Sequence, residues 1–161
     1  TTTMLPRDLR AEVTRYFAPD QGKAMAISVQ SFSYKRGTPR GIDMMFDCRF
    51  LRNPYWDLDL RSKNGCDPKV QAYVAEDKNF AAFKKQILDF TDLVIPAHMA
   101  EGRSHLSIGF GCTGGKHRSV TMVEILWKDL QLRGWHVNIR HRELVEQASH
   151  TRTLNTKVHD S

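Results

Sequence analysis

Gly111-Cys112-Thr113-Gly114-Gly115-Lys116-His117-Arg118-Ser119 joins two segments of different periodicity, and that join decides the fold. On its amino side, His105-Leu106-Ser107-Ile108-Gly109-Phe110 reads as a short buried strand. On its carboxyl side, residues 119–132 carry apolar side chains at helical spacing and read as an amphipathic helix. A strand, a glycine-rich turn and a helix N-terminus direct unpaired backbone N–H groups and a partial positive charge at one point. Gly114 and Gly115 supply the backbone freedom that such a nest requires. Lys116, His117, Arg118 and Ser119 add side-chain donors, and the Arg118 guanidinium has the fork geometry that grips a phosphate. The stretch predicts a site for a phosphorylated or otherwise anionic ligand.

Three chemistries compete for this turn. A nucleotide-binding P-loop, G-x-x-x-x-G-K-[ST], requires Gly at 110 and Ser or Thr at 117, where the chain has Phe110 and His117. The spacing from Cys112 to Arg118-Ser119 fits the C-x-x-G-x-x-R-[ST] loop of cysteine-dependent phosphatases. There Cys112 would be a thiolate nucleophile, acidified by the helix N-terminus and by Arg118. Against that reading, Gly111 stands where those enzymes usually carry His, and the general acid has only Asp43 and Asp47 as candidates. The third reading is a binding nest built on residues 113–115, in which Cys112 is a small half-buried side chain.

Outward from the turn, strands alternate with helices. Residues 24–32, 44–50, 105–110 and 135–141 read as strands, and 68–75, 80–100 and 119–132 as helices. Pro96 is expected to kink or end the second of these helices. The alternation predicts an α/β fold, a mainly parallel sheet with helices on both faces. In such sheets ligands bind beyond the carboxyl ends of the strands, where the turn after 24–32 brings Lys35, Arg36 and Arg40 and the strand 44–50 brings Arg49. Lys35, Arg36 and Arg49 are therefore expected to complete the pocket. Asp43 and Asp47 are expected to pair with nearby arginines. Residues 1–23 read as an entry helix (5–17, with Thr3 as N-cap) and a connector from an upstream domain, 24–145 as the domain itself, and 146–161 as a polar, mobile tail.

A chain of 161 residues with 40% hydrophobic content suffices for one domain. No run approaches the roughly eighteen apolar residues of a membrane span, and no signal peptide is visible. The chain opens on Thr1 rather than Met, so a fragment of a longer protein is expected. Cys48, Cys66 and Cys112 form no metal-ligand spacing and suit a reducing cytoplasm, and no metal site is assigned. The net charge of +6 and pI near 9.4 suit a polyanionic partner. Arg133, Arg140 and Arg142 crowd the last strand and its approaches, with Arg140 and Arg142 on one face by strand alternation.

Four blocks in order carry a wider resemblance. They are Ser31-Phe32-Ser33-Tyr34-Lys35-Arg36-Gly37-Thr38-Pro39-Arg40, then Met44-Met45-Phe46-Asp47-Cys48-Arg49-Phe50-Leu51-Arg52-Asn53-Pro54-Tyr55-Trp56, the 111–119 turn, and Asn138-Ile139-Arg140-His141-Arg142-Glu143-Leu144. Together they resemble the C-terminal domain of the RapZ family, bacterial RNase adapters also described as nucleotide-binding. The resemblance implies a domain similar to the sugar-phosphate-binding part of phosphofructokinases, with no catalytic residue of its own. It implies glucosamine-6-phosphate as ligand, a small regulatory RNA and a ribonuclease as partners, self-association, and a cytoplasmic setting. Nucleotide is expected only in the family's N-terminal P-loop domain, so no cofactor is expected in this chain. On the same grounds Lys116, Arg133, Arg140 and Arg142 are expected to contact RNA, while the Cys112 phosphatase remains the alternative.

Overall fold

A computed structural model describes residues 25–144. Four strands, β1 (Ala26–Ser33), β2 (Met44–Asp47), β3 (His105–Cys112) and β4 (Val137–His141), form one sheet in the order β2-β3-β1-β4. All three pairings are parallel, as the alternation of strands and helices predicts. The helices are α1 (Pro68–Ala75), α2 (Phe80–Ala100) and α3 (Arg118–Leu132). The expected helix at 5–17 and the tail at 146–161 lie outside the described residues.

Strand order explains where the helices go. The chain crosses from β2 to β3 and from β3 to β4 in the same direction, whereas β1 to β2 runs the other way. Right-handed crossovers then put α1, α2 and α3 on one face and the β1–β2 connection on the other. The helix-bearing face carries Ile27, Val29, Leu106, Ile108 and Phe110, which bury against Met122, Val123, Leu126 and Leu130 of α3. Phe46 of β2 stacks on Phe110 at 5.2 Å and meets Phe90 of α2 edge-on at 6.4 Å. On the opposite face, cover among the described residues comes from the β1–β2 connection. There Phe32 and Tyr34 lie so close to Gly111 that a Cβ would sit 2.5 Å from both rings. A histidine before Cys112 has no room.

Local chemistry sets the boundaries. Asp67 caps α1 by accepting from the Lys69 N–H at 2.8 Å, and Pro68 fills the first helical position. Gly134, at φ 90°, ends α3: its N–H donates to the Gln131 carbonyl and that of Trp135 to the Leu130 carbonyl. Trp135 therefore belongs to the helix terminus, and β4 starts two residues later than its apolar run suggests. Strand β2 stops at Asp47 because the chain turns at Cys48, whose carbonyl accepts from Leu51. Pro96 does not end α2, which continues to Ala100. Burial of Ile95 and Thr91 on the preceding turn outweighs the missing N–H.

Strand β3 runs two residues further than its apolar pattern, because Gly111 and Cys112 stay in register with Phe32 and Ser33 of β1. The turn proper is thus 113–117. Within it only Gly115 has a positive φ, 69°. A Cβ there would lie 2.5 Å from Glu143 Cγ and 2.9 Å from the Ser33 backbone nitrogen, whereas one on Gly114 would meet nothing within 4 Å. Gly115→Ala should lower the urea midpoint by the equivalent of about 1–3 kcal/mol. Gly114→Ala should leave it unchanged to within about 0.5 kcal/mol. Equal midpoints for the two variants would overturn this assignment.

Candidate anion-binding site

The β1 connection leaves toward one face and the neighbouring β3 connection toward the other, so a crevice opens between them at the carboxyl end of the sheet. A cavity of about 520 Å³ occupies that position, lined by Lys35, Asn53, Tyr55, Trp56, Arg61, Cys112, Thr113, Gly114, Lys116, His117 and Arg118. Four of these side chains are cationic and none is a carboxylate. Among the described residues no backbone carbonyl accepts from the N–H of Gly114, Gly115, Lys116 or His117. These donors precede the first turn of α3, where the helix dipole adds partial positive charge. The site therefore combines a backbone nest, a helix N-terminus and four cations, the composition expected for holding an anion.

Each residue of the turn is anchored by what lies around it. Ser33, the last residue of β1, donates through Oγ to the Thr113 carbonyl at 2.6 Å. Arg118 is buried, and its Nη1 donates to the carbonyls of Arg49, at 2.5 Å, and Leu51, at 3.2 Å. Its Nη2 faces Thr113 Oγ1 at 3.4 Å, so one edge of the guanidinium clasps the segment after β2 while the other meets the turn. His117 is 8% exposed, with Nε2 3.2 Å from the Arg61 carbonyl. Burial pushes its pKa below the usual histidine value, and the hydrogen bonds to the 61–63 backbone only partly oppose this. Cys112 is buried at the cavity wall with Sγ 3.1 Å from the Oγ of fully buried Ser119.

Not every residue expected at the pocket reaches it. Lys35, Cys112, Thr113, Gly114, His117 and Arg118 line the cavity, as does Lys116. Arg49 instead pairs with Asp47 at 2.6 Å and stacks over Tyr34 at 4.0 Å, contributing its carbonyl rather than its charge. Arg36 reaches Glu143 at 3.5 Å, and Ser119 and Gly115 support the turn from behind. Asp43 and Asp47 are both held by arginines. The Asp43 carboxyl accepts from the Ser107 N–H and then from Arg103, and that of Asp47 accepts from Arg49, which hold both below the usual carboxylate range. Neither faces the cavity as a proton donor to a leaving group.

The four residues expected to contact RNA do not form one patch. Arg133 follows α3 at the amino end of the sheet, paired with Asp92 at 2.9 Å, about 22 Å of helix away from Lys116. Arg140 is exposed on edge strand β4. Arg142 sits at the carboxyl end, where it binds Glu143 at 2.5 Å and the Ser33 carbonyl at 3.1 Å. Tyr55, Trp56 and Arg61 were not anticipated at the pocket. They arrive on the segment after β2, where Arg61 donates to the Tyr55 carbonyl at 2.8 Å and stacks over its ring. The Asn53-Pro54 turn signal and a basic residue shortly after it were the available clues.

Comparison with known proteins places the chain among relatives. Residues 25–145 match the family described as the RapZ C-terminal domain. A nucleotide-binding protein of Cereibacter sphaeroides is 53% identical over 149 residues, covering 92% of this chain and 49% of the relative. Nucleotide-binding proteins of Ruegeria pomeroyi and Dinoroseobacter shibae are each 54% identical over 144 residues, covering 89% of this chain and 51% and 48% of theirs. The chain thus spans about half the length of the curated relatives it matches.

The buried His117 has a pH consequence. Its folded pKa lies below the unfolded value of about 6.5, so the unfolded chain takes up the proton first as pH falls. The neutral ring's contribution is complete above pH 6.5 and is lost progressively below it. Urea midpoints should fall between pH 7.5 and 5.5, and the fall should be smaller in His117→Gln. Parallel curves would show that His117 does not set this dependence.

Proposed function

The chain belongs to the RapZ C-terminal domain family, and on that premise we propose that it is a regulatory domain sensing an amino-sugar phosphate, glucosamine-6-phosphate, and presenting a small regulatory RNA to a ribonuclease. The observation that carries the sensing half is the cavity where the 113–117 nest meets Lys35, Arg61, Lys116 and Arg118, with no carboxylate among the described residues that line it. The phosphate rests on the turn backbone, with Lys116 and Arg118 closing on its oxygens. The sugar then lies toward Tyr55 and Trp56, whose apolar faces suit a pyranose ring. Basic side chains at and beyond the pocket, Lys116 and Arg140 among them, give RNA its phosphate contacts.

A second reading, a cysteine-dependent phosphatase, has one observation in its favour: Cys112 lines the cavity with Ser119 Oγ at 3.1 Å. Among the described residues it lacks a carboxylic acid to protonate the leaving group, since none lines the cavity and Asp43 and Asp47 are paired elsewhere.

Phosphorus NMR of glucosamine-6-phosphate titrated with the protein, followed for several hours, separates the two. The sensor reading expects a shifted or broadened ester signal with no inorganic phosphate. A growing inorganic phosphate peak that Cys112→Ser abolishes would replace it with the phosphatase. Lys116→Ala should weaken binding by roughly 10- to 100-fold, the loss of one charge-assisted hydrogen bond, with no change in thermal stability. Arg118→Ala should lose both binding and stability, because it also releases the carbonyls of Arg49 and Leu51. For RNA, log affinity should fall linearly with log salt concentration, with a slope that Arg140→Ala reduces by about one. A flat salt dependence would remove the electrostatic basis of the proposal.

A further inference from the structure

Outside the anion site, three side chains of different ligand chemistry converge on one point. Cys66 precedes the N-cap of α1, Glu124 lies on the second turn of α3, and His141 closes β4. His141 Nε2 is 2.9 Å from Glu124 Oε1, Cys66 Sγ is 3.3 Å from the same oxygen, and all three donor atoms lie within 4.8 Å of one another. We propose that Cys66, Glu124 and His141 form a binding site for a zinc-class divalent cation, with the fourth coordination position open to water or an exogenous ligand on the exposed Cys66 side.

The donor set selects the ion. One sulfur, one imidazole nitrogen and one carboxylate oxygen suit zinc and its neighbours, and do not suit magnesium or calcium, which take oxygen alone. Bond lengths of about 2.0–2.3 Å space tetrahedral donors roughly 3.3–3.7 Å apart. The Cys66–Glu124 separation of 3.3 Å is already in that range, and the others reach it with shifts on the order of 1 Å. Thiolate and carboxylate together balance a dication, so the loaded site is neutral where His141 is 3% exposed and Glu124 partly buried. Binding releases the Cys66 thiol proton to solvent, and the neutral His141 ring carries its one proton on Nδ1, facing Ser31 Oγ, so that the Nε2 lone pair is free for the metal.

The surroundings already orient the ligands as an outer shell would. Ser31 Oγ, fully buried on β1, lies 2.8 Å from His141 Nδ1, which fixes the ring and leaves Nε2 aimed at the cluster. The hydrogen bond from His141 is the largest of the effects holding the Glu124 carboxyl below its usual range. Cys66 is positioned by its own N–H, which donates to Asn64 Oδ1 at 2.8 Å. The same segment carries Arg61 into the anion pocket, and the Gly65 N–H donates to the Lys116 carbonyl at 2.8 Å. An ion here ties that segment to α3 and β4.

The test uses tag-free protein titrated with cobalt(II) and, in competition with a chromophoric chelator, with zinc. The expected result is one cobalt per chain with a near-ultraviolet thiolate-to-cobalt band. Cys66→Ser, at an exposed position, should fold normally, lose the band and bind zinc at least roughly tenfold more weakly, the range seen when even outer-shell partners are removed. Glu124→Gln, which keeps a hydrogen-bond acceptor for His141, should weaken zinc to a similar degree while retaining the band. Absence of the band in the parent chain, or equal zinc affinity in Cys66→Ser, would show that the cluster is a hydrogen-bonded network only. A band that survives Cys66→Ser would assign the thiolate to Cys48 or Cys112 and overturn the proposal equally.

Discussion

The pairing of β1 with β3 is the constraint on which the rest of this molecule depends. These strands run side by side in register from Ala26 and His105 to Ser33 and Cys112, yet their connections leave toward opposite faces of the sheet. A crevice at their carboxyl ends follows from that divergence and needs no particular side chain. What the side chains do is hold it to one shape. Ser33 ties the end of β1 to the Thr113 carbonyl, and Gly115 lets the returning chain pass within contact of the β1 backbone. Arg118 reaches across to the carbonyls after β2. Three segments far apart in sequence are thereby fixed around one cavity before any ligand arrives.

That preorganisation gives the basic residues unequal roles. Arg118 both clasps backbone and faces the turn, so its charge is held in place by structure rather than by a ligand. Arg49 and Arg36 are satisfied by Asp47 and Glu143. Lys35, Arg61 and Lys116 supply the remaining positive charge of the cavity wall, with no acidic side chain beside them among the described residues lining it. Field strength in such a site comes from the absence of compensating carboxylates as much as from the number of cations. A thiolate attack on a phosphate ester needs a proton for the departing oxygen, and among the described residues lining the cavity no carboxyl group stands beside Cys112 to give it. The chain has no space for a side chain just before Cys112, because the Phe32 and Tyr34 rings lie against Gly111.

The helix α3 links this cavity to a second constellation. Its first turn forms the floor of the anion site, while Glu124, little more than a turn later, meets His141 and Cys66. The segment between β2 and α1 touches both, through Arg61 at the cavity and Cys66 at the cluster. Events at either place therefore act on the same stretch of chain, packed against α3 so closely that a Cβ on Gly65 would lie 2.5 Å from the His117 carbonyl.

The amino-acid sequence by itself determined the class of the fold, a parallel α/β sheet, because hydrophobic periodicity is a local property and strands alternate with helices along residues 24–141. It also pointed to the 111–119 turn as a candidate nest beside a phosphatase-like loop, since glycines before a helix N-terminus can leave backbone donors unpaired. Tertiary structure decided which cations serve that nest. Arg49 and Lys35 read alike in the sequence as strand-end bases, and the fold separates them by stacking Arg49 over the Tyr34 ring and placing Lys35 on the cavity wall. The reach of Tyr55, Trp56 and Arg61 into the pocket and the meeting of Cys66, Glu124 and His141 were likewise decided by contacts between elements distant along the chain. Such contacts are set by crossover direction and close packing, which no local pattern encodes.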